Sequence, residues 1–323
     1  MSKILVVRDL KTQFFTYGGV VQALDGISFY VRKGETLGLV GETGCGKSVT
    51  ALSILRLVSP PGKIVSGEIL FEGEDLLKKT EEEMRKIRGY KISMIFQDPT
   101  SSLNPVITIG HQVSEPFIYH QGLKKTDAEE STIVLLKSIG IPDSDRRYKD
   151  YPHEFSGGMR QRIMIAMAVA CRPSLLIADE PTTNLDVTIQ AQLLELMKEF
   201  QRKYETSILW ITHNLGVVAE ICNRVAVMYA GTVVEVGDVR TILCAPSHPY
   251  TRMLKDCVPT TSQSKKRLQI IPGTVPNLIN PPTGCRFHPR CRDAIDICKT
   301  KKPKKTEIGP GHIVSCWLYS NNK

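Results

Sequence analysis

A glycine-rich segment near the N-terminus constrains the fold more than any other feature. The segment "GETGCGKS", residues 41–48, follows the strand-like run "TLGLV" and opens a stretch with helical character. This order matches the pattern G-x-x-x-x-G-K-[ST] in the context that phosphate binding requires, because glycines let backbone N–H groups approach phosphates and a helix N-terminus favours their charge. We therefore expect a phosphate loop, in which Lys47 reaches the outer phosphates and Ser48 holds Mg2+.

Two adjacent carboxylates end a second apolar run, "LLIADEPTT" at residues 175–183. Two acids at the end of a buried strand are costly unless a cation accompanies them, and parallel sheets bind ligands at that edge. By itself the pair could be a helix-capping acid and its neighbour. Beside a phosphate loop, Asp179 suits a water-mediated hold on Mg2+, and Glu180 suits a general base for the attacking water.

The remaining pattern predicts an α/β protein. Residues 4–40 read as two or three strands, and a helix should run from Lys47 to about Val58. The near-continuous apolar runs "SLLIAD" and "SILWIT" are typical of buried parallel strands. Seven of the nineteen prolines lie in residues 243–283, which we expect to be a linker that wraps around the protein rather than packs into it.

Length and composition favour a folded, soluble chain. It has 323 residues, of which 41% are hydrophobic, and it contains no uninterrupted apolar run of eighteen residues that would span a membrane. The N-terminal apolar run is too short for a signal peptide. We expect a cytoplasmic protein, in which thiols stay reduced.

The net charge of +9 is concentrated at the C-terminus. Residues 262–323 contain twelve basic and three acidic residues, so the rest of the chain is neutral overall. Such a tail could be a solvated surface, or it could face phosphate backbones, anionic lipid headgroups or an anionic cluster.

Four cysteines stand in the same tail. Cys285, Cys291, Cys298 and Cys316 have the spacing C-x5-C-x6-C-x17-C. Zinc fingers and ferredoxins use more closely paired ligands, so the spacing alone selects no metal. The four cysteines do supply four soft ligands in a loop-rich region, which a bound metal could stabilise. From the spacing alone, the cysteines could also bind zinc, stay free thiols or form disulfides.

Between the two nucleotide motifs lies "FSGGMRQR", residues 155–162. Its first five residues, which we call the signature, resemble the LSGGQ sequence of ABC-type ATPases. The order of phosphate loop, Gln97, signature, "DEPTTNLD" and His213 resembles an ABC nucleotide-binding subunit throughout. The resemblance implies an α/β fold: a RecA-like P-loop ABC nucleotide-binding domain with an antiparallel β subdomain, a helical subdomain and a C-terminal Cys-rich extension. The nucleotide-binding domain would span 1–242, with the helical subdomain at about 100–172, and the linker and extension would span 243–323.

The same resemblance implies roles for individual residues. In the family, two subunits sandwich two ATP molecules, and the signature of one subunit caps the γ-phosphate bound by the other. Gln97 would contact Mg2+ and water, His213 would touch the γ-phosphate, and Asp186 would cross the dimer interface. Tyr17 would stack on adenine. The residues assigned to the nucleotide are Tyr17, Gly41, Glu42, Thr43, Gly44, Cys45, Gly46, Lys47, Ser48, Val49, Ser156, Gly157, Gly158 and Asp186, and those assigned to Mg2+ are Ser48, Gln97 and Asp179.

Two motifs in the C-terminal third of the chain indicate a particular group within this family. "SHPYTRML" at 247–254 and "PPTGCRFHPRC" at 281–291 are similar to ATP-binding subunits of dipeptide and oligopeptide importers. This implies an ATPase that powers peptide uptake with ATP and Mg2+, and a [4Fe-4S] cluster on the four tail cysteines, with Zn2+ as the alternative. The implied partners are transmembrane permease subunits, a second, paralogous ATP-binding subunit and, indirectly, an extracytoplasmic peptide-binding protein. The implied location is peripheral, on the cytoplasmic face of the cell membrane.

Two other functions share some of these sequence features. A soluble ABC ATPase that acts on nucleic acid or ribosomes would also suit a basic tail, but the single set of motifs and the C-terminal position of the cysteines disfavour it, and we expect no nucleic-acid partner. An importer ATPase for a non-peptide solute such as nickel stays open, because the solute is chosen by the permease and the binding protein.

Overall fold

In the computed structural model, which describes residues 2–183, 185–257 and 271–320, the chain divides into two units. Unit 1 comprises residues 1–78 and 210–323, and unit 2 comprises residues 79–209. Unit 1 is therefore built from both ends of the chain.

The elements are numbered here in chain order. The strands are β1 (Lys3–Thr16), β2 (Gly19–Arg32), β3 (Thr36–Val40), β4 (Gly62–Phe71), β5 (Glu74–Asp75), β6 (Ile92–Ile95), β7 (Leu175–Asp179), β8 (Ser207–Thr212), β9 (Arg224–Tyr229), β10 (Thr232–Asp238), β11 (Thr306–Gly309) and β12 (His312–Val314). The α-helices are α1 (Lys47–Ile54), α2 (Glu81–Ile87), α3 (Pro99–Ser102), α4 (Ile109–Gln121), α5 (Lys125–Ser138), α6 (Ser144–Arg147), α7 (Gly157–Val169), α8 (Val187–Tyr204), α9 (Leu215–Ile221), α10 (Val239–Cys244), α11 (Pro249–Asp256) and α12 (Asp296–Thr300).

Unit 1 contains two groups of paired strands. Strands β2, β1, β4 and β5 form an antiparallel sheet in that order. In the second group, β11, β12, β10 and β9 are antiparallel neighbours, and β9 pairs in parallel with β3. Every residue of β3 and β9 is buried, as a parallel pair covered on both faces requires. The C-terminal strands β11 and β12 thus extend the strand system that leads into the glycine loop.

Helix α1 ends four residues earlier than the sequence pattern predicts. Arg56 adopts a left-handed φ of 54°, its N–H bonds to the carbonyl of Ser53, and the N–H of Leu57 bonds to the carbonyl of Leu52. These two bonds form a Schellman motif, which satisfies the last carbonyls of the helix and stops it before "SPPG".

The proline-rich segment 243–283 differs from the expected wrapping linker. Residues 258–270 of it lie outside the described part of the chain, but Pro249 opens helix α11, and Tyr250 is fully buried. Proline suits the first position of a helix, because its missing N–H has no helical partner there. The prolines of this segment therefore mark a helix start as well as loops.

Unit 2 combines a parallel strand pair with a group of helices. Strand β6 pairs in parallel with β7, and all five residues of β7 are buried. Helices α4, α5 and α7, together with the segments that connect them, contribute to a core that lies within the range predicted to be helical. Its buried members are Leu103, Ile109, Val113, Leu136, Ile139, Ile141, Phe155, Ile163 and Ala166.

Within the described ranges, no helix combines the length and apolar character that crossing a membrane would require.

Candidate nucleotide-binding site

The glycine loop of unit 1 joins buried strand β3 to helix α1. A Cβ on Gly41 would lie 2.1 Å from the carbonyl oxygen of Met228, so only glycine fits there. Gly46 has a φ of 104°, and a Cβ on it would lie 2.7 Å from the carbonyl oxygen of Ala23. The loop is therefore packed tightly against the unit on its inner side, while Thr43, Gly44 and Ser48 are exposed.

The side chain of Lys47 is buried under this loop and hydrogen-bonds to its backbone. Its side chain is 5% exposed, and its Nζ donates to the carbonyl oxygens of Gly41 at 2.9 Å and Glu42 at 3.1 Å. The thiol of Cys45 is fully buried beside it, and burial raises the pKa of that thiol. Cys45 therefore serves packing, with its thiol protonated at neutral pH, and only its backbone is available to a phosphate.

In unit 2, the predicted acids stand where β7 ends. Asp179 is the last residue of the strand and is buried, whereas Glu180 is half-buried with a left-handed φ of 47°. Such a backbone is strained for a residue with a side chain, and strain of this kind collects at functional sites. The Oε2 atom of Glu180 accepts a hydrogen bond from Thr183 Oγ1 at 3.0 Å and lies 3.4 Å from Gln97 Nε2. The structure thus brings together Gln97 and Glu180, which are 83 residues apart.

The signature forms the start of a thirteen-residue helix in the same unit. Ser156 is the N-cap of α7, where its Oγ accepts from the N–H of Met159 at 3.3 Å. Ser156 and Gly157 are exposed, and the space beside Gly157 is open. An exposed serine hydroxyl and free N–H groups at a helix N-terminus are suited to an anion.

Asp186 and His213 also lie at the ends of secondary-structure elements. Asp186 is the N-cap of α8, and its Oδ1 accepts from the N–H of Ile189 at 2.9 Å. His213 directly follows β8, a strand that crosses the boundary between the units, and is exposed. Tyr17 is fully exposed at the turn between β1 and β2.

Comparison with known proteins identifies the chain. The profile described as "ABC transporter" matches residues 24–183, and "Oligopeptide/dipeptide transporter, C-terminal region" matches residues 234–298. The chain is 52% identical to the probable peptide ABC transporter ATP-binding protein y4tR of Sinorhizobium fredii, over 97% of this chain and 94% of that protein. It is 51% identical to the dipeptide transport ATP-binding protein DppD of Bacillus subtilis, over 98% of this chain and 95% of that protein.

The chain belongs to the ABC transporter family.

Solved structures agree with this fold. The ATP-binding cassette MJ0796, in a dimeric post-hydrolysis state with ADP and Pi, superposes with a TM-score of 0.66 at 24% identity over 73% of this chain and 99% of that chain. The cassette cbiO1 of Clostridium perfringens gives a TM-score of 0.64 at 26% identity, over 76% of this chain and 92% of that chain. The α/β ABC cassette predicted from the motifs is confirmed.

The C-terminal extension of this ABC subunit supplies contacts that sequence reasoning missed. The hydroxyl of Tyr250 accepts from the N–H of Glu42 at 3.0 Å, and Arg290 Nη1 lies 3.0 Å from Glu42 Oε2. Phe287 is 1% exposed and packs its ring against Tyr229 and Tyr250. Hydrophobic and basic residues in a proline-rich tail are weak signals, and partners more than 200 residues away left no local pattern to read.

The four tail cysteines lie close enough to influence one another. Burial raises the pKa of Cys285 to about 11, and the nearby Cys298, Cys316 and Cys291 raise it further, because thiolates at neighbouring positions would repel one another. Burial also raises the pKa of Cys316 to about 11. The thiols of Cys285, Cys291 and Cys316 each accept a hydrogen bond from the backbone amide two residues further along. Such amides stabilise metal-bound thiolates, so the donor chemistry fits a thiolate-bound centre. In the part of the chain that the structure describes, however, no three His, Cys, Asp or Glu side chains are placed to hold a metal ion together.

Proposed function

We propose that this chain is the ATP-hydrolysing subunit that powers the uptake of dipeptides and oligopeptides through a membrane ABC importer. The observation that carries the proposal is the near full-length similarity to dipeptide and oligopeptide transport ATP-binding proteins, which includes the C-terminal region typical of those transporters. The subunit would act at the cytoplasmic face of the membrane, bound to permease subunits.

The proposed chemistry assigns one task to each group. The loop at residues 41–46 and Lys47 would bind the phosphates, and Ser48 and Asp179 would hold Mg2+, which supplies charge neutralisation to the triphosphate. Glu180 would accept a proton from the attacking water, and its contact with Gln97 supports a role for both near that water. His213 would contact the γ-phosphate.

A second ATP-binding subunit would complete each site. The exposed Ser156 and Gly157 at the start of α7 suit the γ-phosphate bound by the partner's phosphate loop, and Asp186 would lie at the same interface. We infer a paralogous partner, so that the assembled importer carries a heterodimer. The peptide itself would bind the permease and an extracytoplasmic binding protein.

Transport by proteoliposomes tests this proposal. The vesicles would contain the chain with the other ATP-binding subunit, permease subunits and binding protein of a peptide importer from the same organism. We expect ATP-dependent accumulation of a labelled dipeptide with the wild-type chain and none with Lys47→Ala. Accumulation of nickel but not peptide would reassign the solute, and ATP hydrolysis stimulated by RNA or DNA instead of permease would overturn the importer function.

We further infer that the four tail cysteines hold a [4Fe-4S] cluster, with zinc as the competing occupant. Support comes from the four-thiol donor set and from the backbone amides directed at three of the sulfurs. The chain's own contribution would be to bury Cys298 and Cys316 and to direct backbone amides at the sulfurs of Cys285, Cys291 and Cys316.

A further inference from the structure

Arg290, in the C-terminal extension, reaches a side chain of the phosphate loop. Its Nη1 lies 3.0 Å and 3.2 Å from the two carboxylate oxygens of Glu42, the second residue of the loop, and 3.3 Å from the hydroxyl of Tyr229. The side chain of Arg290 is 7% exposed and that of Glu42 is 24% exposed. The pair is therefore largely withdrawn from water, where opposite charges interact more strongly than at an open surface.

The guanidinium is held in place from the side opposite Glu42. Its Nε donates to the carbonyl oxygen of Pro272 at 2.8 Å, and its Nη2 donates to those of Gly273 at 3.3 Å and Ile271 at 3.4 Å. These bonds use the fork of donors that only arginine offers. Arg290 is thus fixed by the extension and directed at one carboxylate.

Glu42 is restrained at three points. Its N–H donates to the hydroxyl of Tyr250, its carbonyl accepts from Lys47 Nζ at 3.1 Å, and its carboxylate faces Arg290. Two of these three restraints come from residues C-terminal to position 248. A carboxylate in this loop would otherwise repel the phosphates that the loop is built to receive.

We propose that Arg290 is a positioning residue for the nucleotide: it neutralises and orients Glu42, so that the C-terminal extension sets the affinity of the phosphate loop for nucleotide phosphates. This inference rests on the proposed role of residues 41–48 in binding ATP. Because the effect is electrostatic, it grows with the number of phosphates on the ligand, being largest for ATP, smaller for ADP and smallest for adenosine.

Nucleotide binding to the full-length chain tests the inference. The probes are a non-hydrolysable ATP analogue, ADP and adenosine, titrated in the presence of Mg2+ against wild type, Arg290→Gln, Arg290→Lys, Glu42→Gln and the double variant Glu42→Gln/Arg290→Gln. Arg290→Gln should weaken binding of the ATP analogue roughly five- to tenfold, the loss expected for one partly buried ion pair. Arg290→Lys, which keeps the charge but loses the fork, should lose less. The double variant should return to within about twofold of wild type, because the carboxylate to be neutralised is gone.

The rescue separates this role from a merely structural one. If Arg290 only held the extension together, the double variant would bind as weakly as Arg290→Gln, and adenosine and ATP would lose affinity equally; either result overturns the inference. The matched control is Arg292→Gln, which removes the same charge from an exposed side chain two residues away and should leave affinity unchanged. Lys47→Ala guards the underlying proposal: if it binds the ATP analogue as well as wild type, the phosphate-loop assignment itself fails. If Lys47→Ala weakens binding of the ATP analogue and Arg290→Gln does not, the inference about Arg290 fails while the phosphate-loop assignment stands.

Discussion

Glu180 illustrates how a single residue is prepared for chemistry. The buried strand β7 delivers it to the edge of the unit, a left-handed φ turns its backbone, and Thr183 and Gln97 face its Oε2. A side chain restrained in this way loses little freedom when a water molecule is presented to it.

Replacing this carboxylate by its amide separates binding from hydrolysis. In Glu180→Gln, we expect kcat for ATP to fall at least about 100-fold, because the amide cannot accept the proton of the attacking water. The affinity for ATP should stay within about twofold of wild type, since Glu180 is not assigned to the phosphates. A steady-state phosphate-release assay together with a nucleotide titration measures both quantities.

Glu199→Gln is the control, because it makes the same chemical change on an exposed position of α8. Hydrolysis by Glu180→Gln at the wild-type rate would contradict the assignment of the general base.

At the scale of elements, helix α11 depends on a buried histidine. His248 is 1% exposed, and its Nδ1 accepts from the N–H of Tyr250 at 3.0 Å as the N-cap of the helix. The backbone N–H of His248 donates to the carboxylate of Glu235. The same carboxylate accepts from the backbone N–H of Ser247 and faces the ring of His312. Burial, assisted by the charge of Arg252, lowers the pKa of His248 to about 3.

This histidine should make stability depend on pH. The unfolded chain binds a proton at His248 below about pH 6.5, whereas the folded chain does so only near pH 3, so stability is lost as the pH falls through this window. Between pH 7.0 and 5.5, the free energy of unfolding of the wild type should fall by about 1 kcal/mol more than that of His248→Asn, in which asparagine can still cap the helix.

Urea titrations at the two pH values measure the difference. His153→Asn, a change at an exposed histidine, should leave the pH dependence of the wild type in place. Equal pH dependence in wild type and His248→Asn would show that His248 is not the group responsible.

Elements with local signals were predictable, and those that depend on distant partners were not. The sequences around Lys47 and Asp179 carry strand, loop and helix patterns within about ten residues, and the structure has β3, α1 and β7 there. The early end of α1 depends on a left-handed Arg56, a position for which the sequence offers no glycine. The contacts of Glu42 with Tyr250 and Arg290 join parts of the chain more than 200 residues apart, so no window of sequence contains both partners. The roles of the individual site residues stay predictions.

At the scale of the whole molecule, part of the basic C-terminal tail neutralises acidic residues of the same chain. Arg286 and Lys302 both pair with Asp25 on β2, and Lys305 lies 3.6 Å from Asp9 on β1. Burial alone would raise the pKa of Asp25, but Lys302, Arg286 and Lys11 hold it below its usual value. Part of the charge that the sequence assigns to a surface or a partner therefore stabilises the contact between the two ends of the chain.

Metal analysis of the whole chain tests the proposed cluster. After purification without oxygen, we expect about four irons and four acid-labile sulfides per chain and a broad visible absorption band. Cys291→Ser should lower the iron content, because it removes one of the four thiolate ligands.

Cys244→Ser removes an exposed cysteine outside the set and should retain the wild-type iron content. If the chain contains stoichiometric zinc or no metal, the proposal of a [4Fe-4S] cluster is wrong, and the ATPase assignment is unaffected.

The pairing of β3 with β9 has a consequence for how the protein is made. Synthesis proceeds from the N-terminus, so the phosphate loop at residues 41–46 emerges well before its neighbours. Strand β9 follows about 180 residues later, and Tyr250 and Arg290 come later still. At about 5–20 residues per second, the loop waits on the order of ten seconds or more for these contacts. The restraints that Tyr250 and Arg290 place on Glu42 can therefore form only after residue 290 has left the ribosome, late in the synthesis of the chain.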